Sequence, residues 1–206
     1  MMKKIVLLVL SMMIFSYAQC LSAPVSTRVG VKFGINPGIY NLDDGLNEFK
    51  GTGVHFGLGM GTDLLNLISL DMGAQFRTTR YSRDEDVFGE HTKSFNNLYF
   101  PLFVSLKAGM LPLISPYIGA GIGINVQFDG KDRWDINGSA VETPIEGAST
   151  NAFLILGLGA EIKLIKFRIM PEFTANINAQ ADNQATENRT EENVDYHLTL
   201  GFYYVP

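Results

Sequence analysis

The stretch PYIGAGIGINVQF, residues 116–128, carries three glycines, Gly119, Gly121 and Gly123, and resembles a glycine-rich phosphate loop at first sight. A dinucleotide fingerprint needs G-x-G-x-x-G at a turn from a strand into a helix. Here the glycines repeat at a strict period of two, and no helical pattern follows them. The alternate positions are filled by Ile118, Ala120, Ile122, Ile124, Val126 and Phe128. Period two belongs to a strand with two unlike faces. The glycines therefore line one face of a strand, and the same holds for GLGMG at 57–61.

Seven more segments repeat the pattern. RVGVKFGIN places Val29, Val31, Phe33 and Ile35 on one parity, and VHFGLGMG places Val54, Phe56, Leu58 and Met60. ISLDMGAQFRT, LYFPLFVSLK, AFLILGLGAEIKL, FRIMPEFTAN and VDYHLTLGFYY alternate in the same way. The spacing predicts eight strands. Long polar segments at 37–53, 79–97, 129–151 and 177–193 separate them, in alternation with short connections at 62–67, 108–115 and 165–166. Long loops on one side and short turns on the other are the pattern of an outer-membrane barrel. The competing architecture is a soluble sandwich or lipocalin-like barrel, which would bury its apolar parity.

The glycines decide between them. Twelve glycines lie inside the strand windows, and all twelve take the parity opposite the large apolar side chains. Charged strand residues share that glycine parity: Lys32, Asp71, Arg77, Lys107 and Glu161, then Lys163, Arg168, Glu172 and Asp195. A soluble barrel would expose bare backbone and charge on many strands while packing the other face. With the apolar parity towards lipid, the glycines instead line a narrow lumen and leave room there for Arg, Lys and Tyr. The expected fold is all-β, an eight-stranded antiparallel up-and-down transmembrane β-barrel with both termini on the short-turn, periplasmic side.

The N-terminus, MMKKIVLLVLSMMIFSYAQCLSAP, has a basic start at Lys3 and Lys4, an apolar run over 5–17 and small residues after it. It reads as a signal peptide over 1–23, cleaved between 18 and 23, with the barrel domain over 24–206. Gln19 makes a poor lipobox before Cys20, the one cysteine, so no disulfide framework is expected. Without Lys3 and Lys4 the chain keeps 14 Lys+Arg against 21 Asp+Glu, a formal charge of −7. That acidity argues against nucleic acid as a partner.

LYFPLFVSLKAG followed by SPYIGAGIGI resembles the paired strands of the bacterial outer-membrane β-barrel domain families. The nearest is the PorT-like group of porin-family proteins, and small barrels of the OmpA and OmpX kind share the architecture. The resemblance spans nearly the whole mature chain. It implies residence in the bacterial outer membrane, contact with its lipid and lipopolysaccharide, and insertion by the barrel-assembly machinery. It hands over no catalytic residues. Such chains usually end in an aromatic residue, whereas TLGFYYVP ends in Val205-Pro206, a departure at the assembly signal.

Five lumen-parity bases and four acids are expected to pair into an electrostatic plug, since buried charges must pair. The other reading of them is an ion or solute path. Some eight-stranded outer-membrane barrels modify lipid A with His and Ser. Of the three histidines here, His55 and His197 fall on lumen parity, and His91 lies near Ser94 in no recognised hydrolase pattern, so no enzymatic activity is expected. Asp129, Asp132, Asp135 and Glu142 miss the EF-hand spacing, so neither a metal nor a cofactor is expected. Trp134, the sole Trp, is a candidate loop contact, or else caps the barrel mouth or sits at the interface. Two function classes remain: a structural or interaction barrel acting through its extracellular loops, with a protein partner there, and a narrow transport or permeability element.

Overall fold

The computed structural model describes residues 25–41, 48–64, 67–85, 89–108, 113–136, 139–145, 149–179 and 194–206. The proposed signal segment, Cys20 and most of 177–193 lie outside these. Eight strands form the wall: β1 (Val25–Asn41), β2 (Glu48–Leu64), β3 (Ile68–Glu85), β4 (Gly89–Lys107), β5 (Ile114–Ile136), β7 (Ser149–Leu164), β8 (Phe167–Asn178) and β9 (Val194–Tyr204). A ninth short strand, β6 (Ser139–Pro144), pairs among the described residues only with the tip of β5. Every neighbouring pair is antiparallel, and β9 returns to β1, so the wall is closed. Closure leaves no strand edge facing lipid, which has no groups to hydrogen-bond an exposed backbone.

The two faces sort as the parity requires. Val31, Phe56, Leu58 and Ile118 stand on the outside, Leu58 being 68% exposed. Inside lie Tyr99, Phe103, Tyr117, Ile155, Met170 and Tyr203 as one buried cluster, surrounded by polar and charged side chains. Gly123 shows why the opening stretch needs glycine. A Cβ there would lie 2.5 Å from the Tyr99 hydroxyl oxygen, inside contact distance. Each large lumen ring therefore requires a bare patch of wall.

Two expectations change. Three of the long polar segments, 37–53, 79–97 and 129–151, are largely strand: β1 and β2 pair as far as Asn41 with Glu48, and β3 and β4 as far as Glu85 with Gly89. A membrane-crossing strand needs roughly 9–11 residues, whereas β3 has 18 and β4 has 19, so both project well beyond the bilayer. Segment 129–151 becomes the end of β5 and the β6 hairpin rather than an open loop. Val126 keeps the lipid-side parity, opposite Leu98, though it is only 8% exposed. It sits beside a bulge where Asn97 pairs Gln127 but Asn96 pairs Asp129, which leaves Phe128 as the extra residue. A bulge adds one residue and so swaps the faces of everything after it.

Candidate functional site: the lumen and its mouth

Polar side chains fill the lumen in three tiers. At the short-turn end Arg28 is 1% exposed. It donates to Asp63 at 2.5 Å, and to Asp71 and Ser69 at 2.6 Å each. Asp63 also accepts from Lys107 at 2.7 Å. Lys107 is further paired with Glu161, whose second oxygen meets the Arg168 Nε at 2.9 Å. The chain Asp71, Arg28, Asp63, Lys107, Glu161, Arg168 thus ties six strands together across the lumen. Removing one partner of such a pair leaves an uncompensated buried charge, at about 3–5 kcal/mol.

In the middle tier Lys32 faces Glu172 at 3.5 Å, and Tyr117 donates its hydroxyl to Glu172 at 3.0 Å. Above it the Arg77 guanidinium lies 3.2 Å from the centre of the Tyr99 ring. Arg77 is also 3.8 Å from Asp195 and 3.3 Å from His197. His197 bonds Asp195 at 2.5 Å, and His55 bonds Thr199 at 3.0 Å. Small cavities of about 20 and 40 Å³ lie between these side chains, the lower among Lys32, Gln75 and Glu172 and the upper above Arg77.

The nine charges named from sequence lie on the lumen parity of their strands. Eight of them form ion pairs; Lys163, beside Arg168 in the register, forms none among the described residues. Arg28 and Asp63 were not among the nine, although they join two halves of the network. Asp63 sits just past the glycine run, in the segment read as a connection, and Arg28 occupies the first position of its strand window. Lumen parity counted outward from Lys32 and Gly61 reaches both.

At the mouth the bulge turns Trp134 to the lumen-side face of the sheet. Its ring stacks on His91 at 3.6 Å, with the planes 20° apart. His91 bonds Asp132 at 2.5 Å. Burial lowers the His91 pKa from its ordinary value, and the Asp132 carboxylate opposes that shift. Lys131 pairs Glu142 at 2.6 Å, Arg133 pairs Asp135 at 3.1 Å, and Asn96 donates to Asp129 at 3.0 Å. The four loop acids are thus distributed among separate partners. Below, Tyr81 and Phe95 pack with Ile145.

Among curated proteins no match is found. Among solved structures, Neisserial surface protein A is 13% identical, with a TM-score of 0.45, over 87% of this chain and 96% of that one. Ail, the attachment invasion locus protein of Yersinia pestis, is 14% identical, with a TM-score of 0.38, over 88% of this chain and 97% of that one. The N-terminal β-barrel domain of Pseudomonas aeruginosa OprF is 14% identical, with a TM-score of 0.40, over 88% and 97%. The family model described as outer membrane protein beta-barrel domain matches residues 5–205, almost the full length. The closed eight-stranded wall, the apolar exterior and this match together establish that the chain belongs to the outer-membrane β-barrel domain family, whose place is the bacterial outer membrane.

Proposed function

We propose that the barrel is an interaction protein, held in the outer membrane by its apolar wall, and that its projecting sheet pairs with an extended segment of a protein partner outside the cell. The observation that carries this is β6. Among the described residues it bonds to β5 on one side only, and all six of its residues are exposed. An unpaired edge is a template for another strand, because its free N–H and C=O groups need partners. Val141, 54% exposed on that strand, offers an apolar anchor. The lumen charges serve as a plug that braces the wall, which suits a scaffold better than a conduit. A cleaved signal over 1–23 and the barrel-assembly machinery bring the chain to its membrane. There its outer face meets lipid and lipopolysaccharide, in the manner of PorT-like, porin-family proteins, and it carries out no chemistry.

The alternative is a narrow permeability element. A variant lacking 139–144 and an Ala140→Pro variant, which blocks the edge without removing the hairpin, separate the two. Both are expected to abolish whole-cell adherence or partner capture that the intact protein supports, with barrel folding and bilayer conductance unchanged. Retained capture in both variants, or stable channels of porin size from the intact protein, would refute the interaction role.

A further inference from the structure

The upper cavity, of about 40 Å³, is walled by Asn36, Asn97, Asn125 and Asn151, from four different strands. Arg77 and Asp195 form its floor, and Thr79, Tyr81 and Phe153 complete it. Asn36 is 2% exposed and Asn97 7%. The side-chain oxygens of Asn36, Asn97 and Asn125, one oxygen of Asp195 and the Nε of Arg77 are all buried without a hydrogen-bond partner. Buried polar groups in folded proteins are almost always partnered. Here five unpartnered atoms belong to residues that line one space. Gly53 keeps that space open: a Cβ there would lie 2.4 Å from the Asn36 amide nitrogen and 2.6 Å from the Thr79 methyl.

We infer that this chamber is a binding site for the vicinal hydroxyls of an uncharged polyol or sugar. Three arguments fix the class. The free groups comprise both acceptors and a donor, and a hydroxyl is the group that satisfies either kind. The charges at the floor are already spoken for: the Arg77 guanidinium lies over Tyr99 and beside His197, and Asp195 accepts from His197. Neither an inorganic cation nor an anion therefore finds an uncompensated opposite charge. Phe153 and Tyr81 supply apolar wall for the carbon side of such a ligand, the usual mixture of a small-molecule site. A cavity of roughly 10–15 Å³ suffices to hold one water, so the chamber takes about three oxygen-sized positions, the reach of a glycerol or of one edge of a hexose. The site lies inside the wall, below the hairpin, and stands or falls independently of strand pairing at β6.

The test is a titration of ¹⁵N-labelled barrel in a phosphocholine detergent, which carries no sugar, followed on the side-chain amide signals. Glycerol or glucose is expected to give saturable shifts confined to Asn36, Asn97, Asn125 and Asn151. Saturation by glycerol alone marks a free small polyol as the ligand, and tighter saturation by glucose marks a sugar. Asn97→Leu, which keeps the side-chain size, is expected to weaken binding at least tenfold, and Thr79→Val to do so more mildly with the wall intact. Shifts that stay linear with concentration, saturation by sodium or phosphate but neither polyol, or unchanged affinity in both folded variants would each overturn the assignment.

Discussion

Ile122 and Gly123 are adjacent in β5 and live in different solvents. Ile122 is 59% exposed on the outer wall, while Gly123 lies against the Tyr99 hydroxyl. An Arg at position 122 has to be solvated within hydrocarbon. Ile122→Arg is therefore expected to lose about 2–4 kcal/mol of folding free energy, the depth-dependent cost of Arg on a lipid face. Denaturant titration into lipid vesicles checks it, and wild-type stability for this variant would mean that the faces are inverted. The same alternation made the lumen charges legible in the sequence, because the wall has no second face on which to put them. What it could not show was which base meets which acid. Arg28 reaches Asp71 over 43 positions of sequence, and Lys107 reaches Glu161 over 54. Such pairings depend on strand register and barrel closure, which no local pattern encodes. The asparagines were passed over for a related reason: Asn36, Asn97, Asn125 and Asn151 sit far apart in sequence and share a chamber only once the wall has closed.

Strand by strand, the sequence signal faded where the membrane ends. Within the bilayer one face is apolar, so hydrophobicity oscillates. Above it both faces meet water or one another, and stretches such as RYSRDE and GEHTKSFNN stay extended with polar residues on both sides. They therefore read as loops. The bulge at Phe128 was hidden for another reason. One inserted residue reverses parity without any special residue type to announce it, and Trp134 ends on the lumen side as a result. Its stack on His91 gives the hairpin a titratable clasp. The folded pKa of His91 is lowered, chiefly by burial. Its neutral form is thus favoured while the hairpin is docked, and the undocked state takes up the proton first. Docking is at full strength above the unperturbed imidazole value of about 6.5 and weakens as pH falls below it. Trp134 is the sole tryptophan, so its emission reports on the clasp. The emission is expected to shift between about pH 7 and pH 5 and to lose that dependence in His91→Gln. A clasp that loosens as pH rises would contradict the assigned direction.

For the whole molecule, closure fixes sidedness. The wall closes through β9 on β1, over Val29–Tyr204 to Ile35–Leu198. Eight strands bring the chain back to the end where it started, beside the turn at 165–166, and the Val205 amide donates to the Lys166 carbonyl at 2.9 Å. Ile165 in that turn is 99% exposed, with no sheet above it. At the opposite end β3, β4, β5 and β6 continue as one projecting sheet. Barrels of this architecture enter from the periplasm, and the long ends are what cross to the outside. By that rule the ionic chain near Arg28 is expected towards the periplasm, and the asparagine chamber towards the exterior. An epitope inserted at Ala140 in β6 is expected to be labelled on intact cells. One inserted between Ile165 and Lys166 is expected to be labelled only after the outer membrane is permeabilised. The contrast rests on access, since both positions are exposed in the folded chain. Heat-modifiable migration in both insertion variants confirms that the wall has formed. Equal labelling of the two sites on intact cells would show that the sheet does not span the membrane in this sense, and labelling of the 165–166 site alone would invert the barrel.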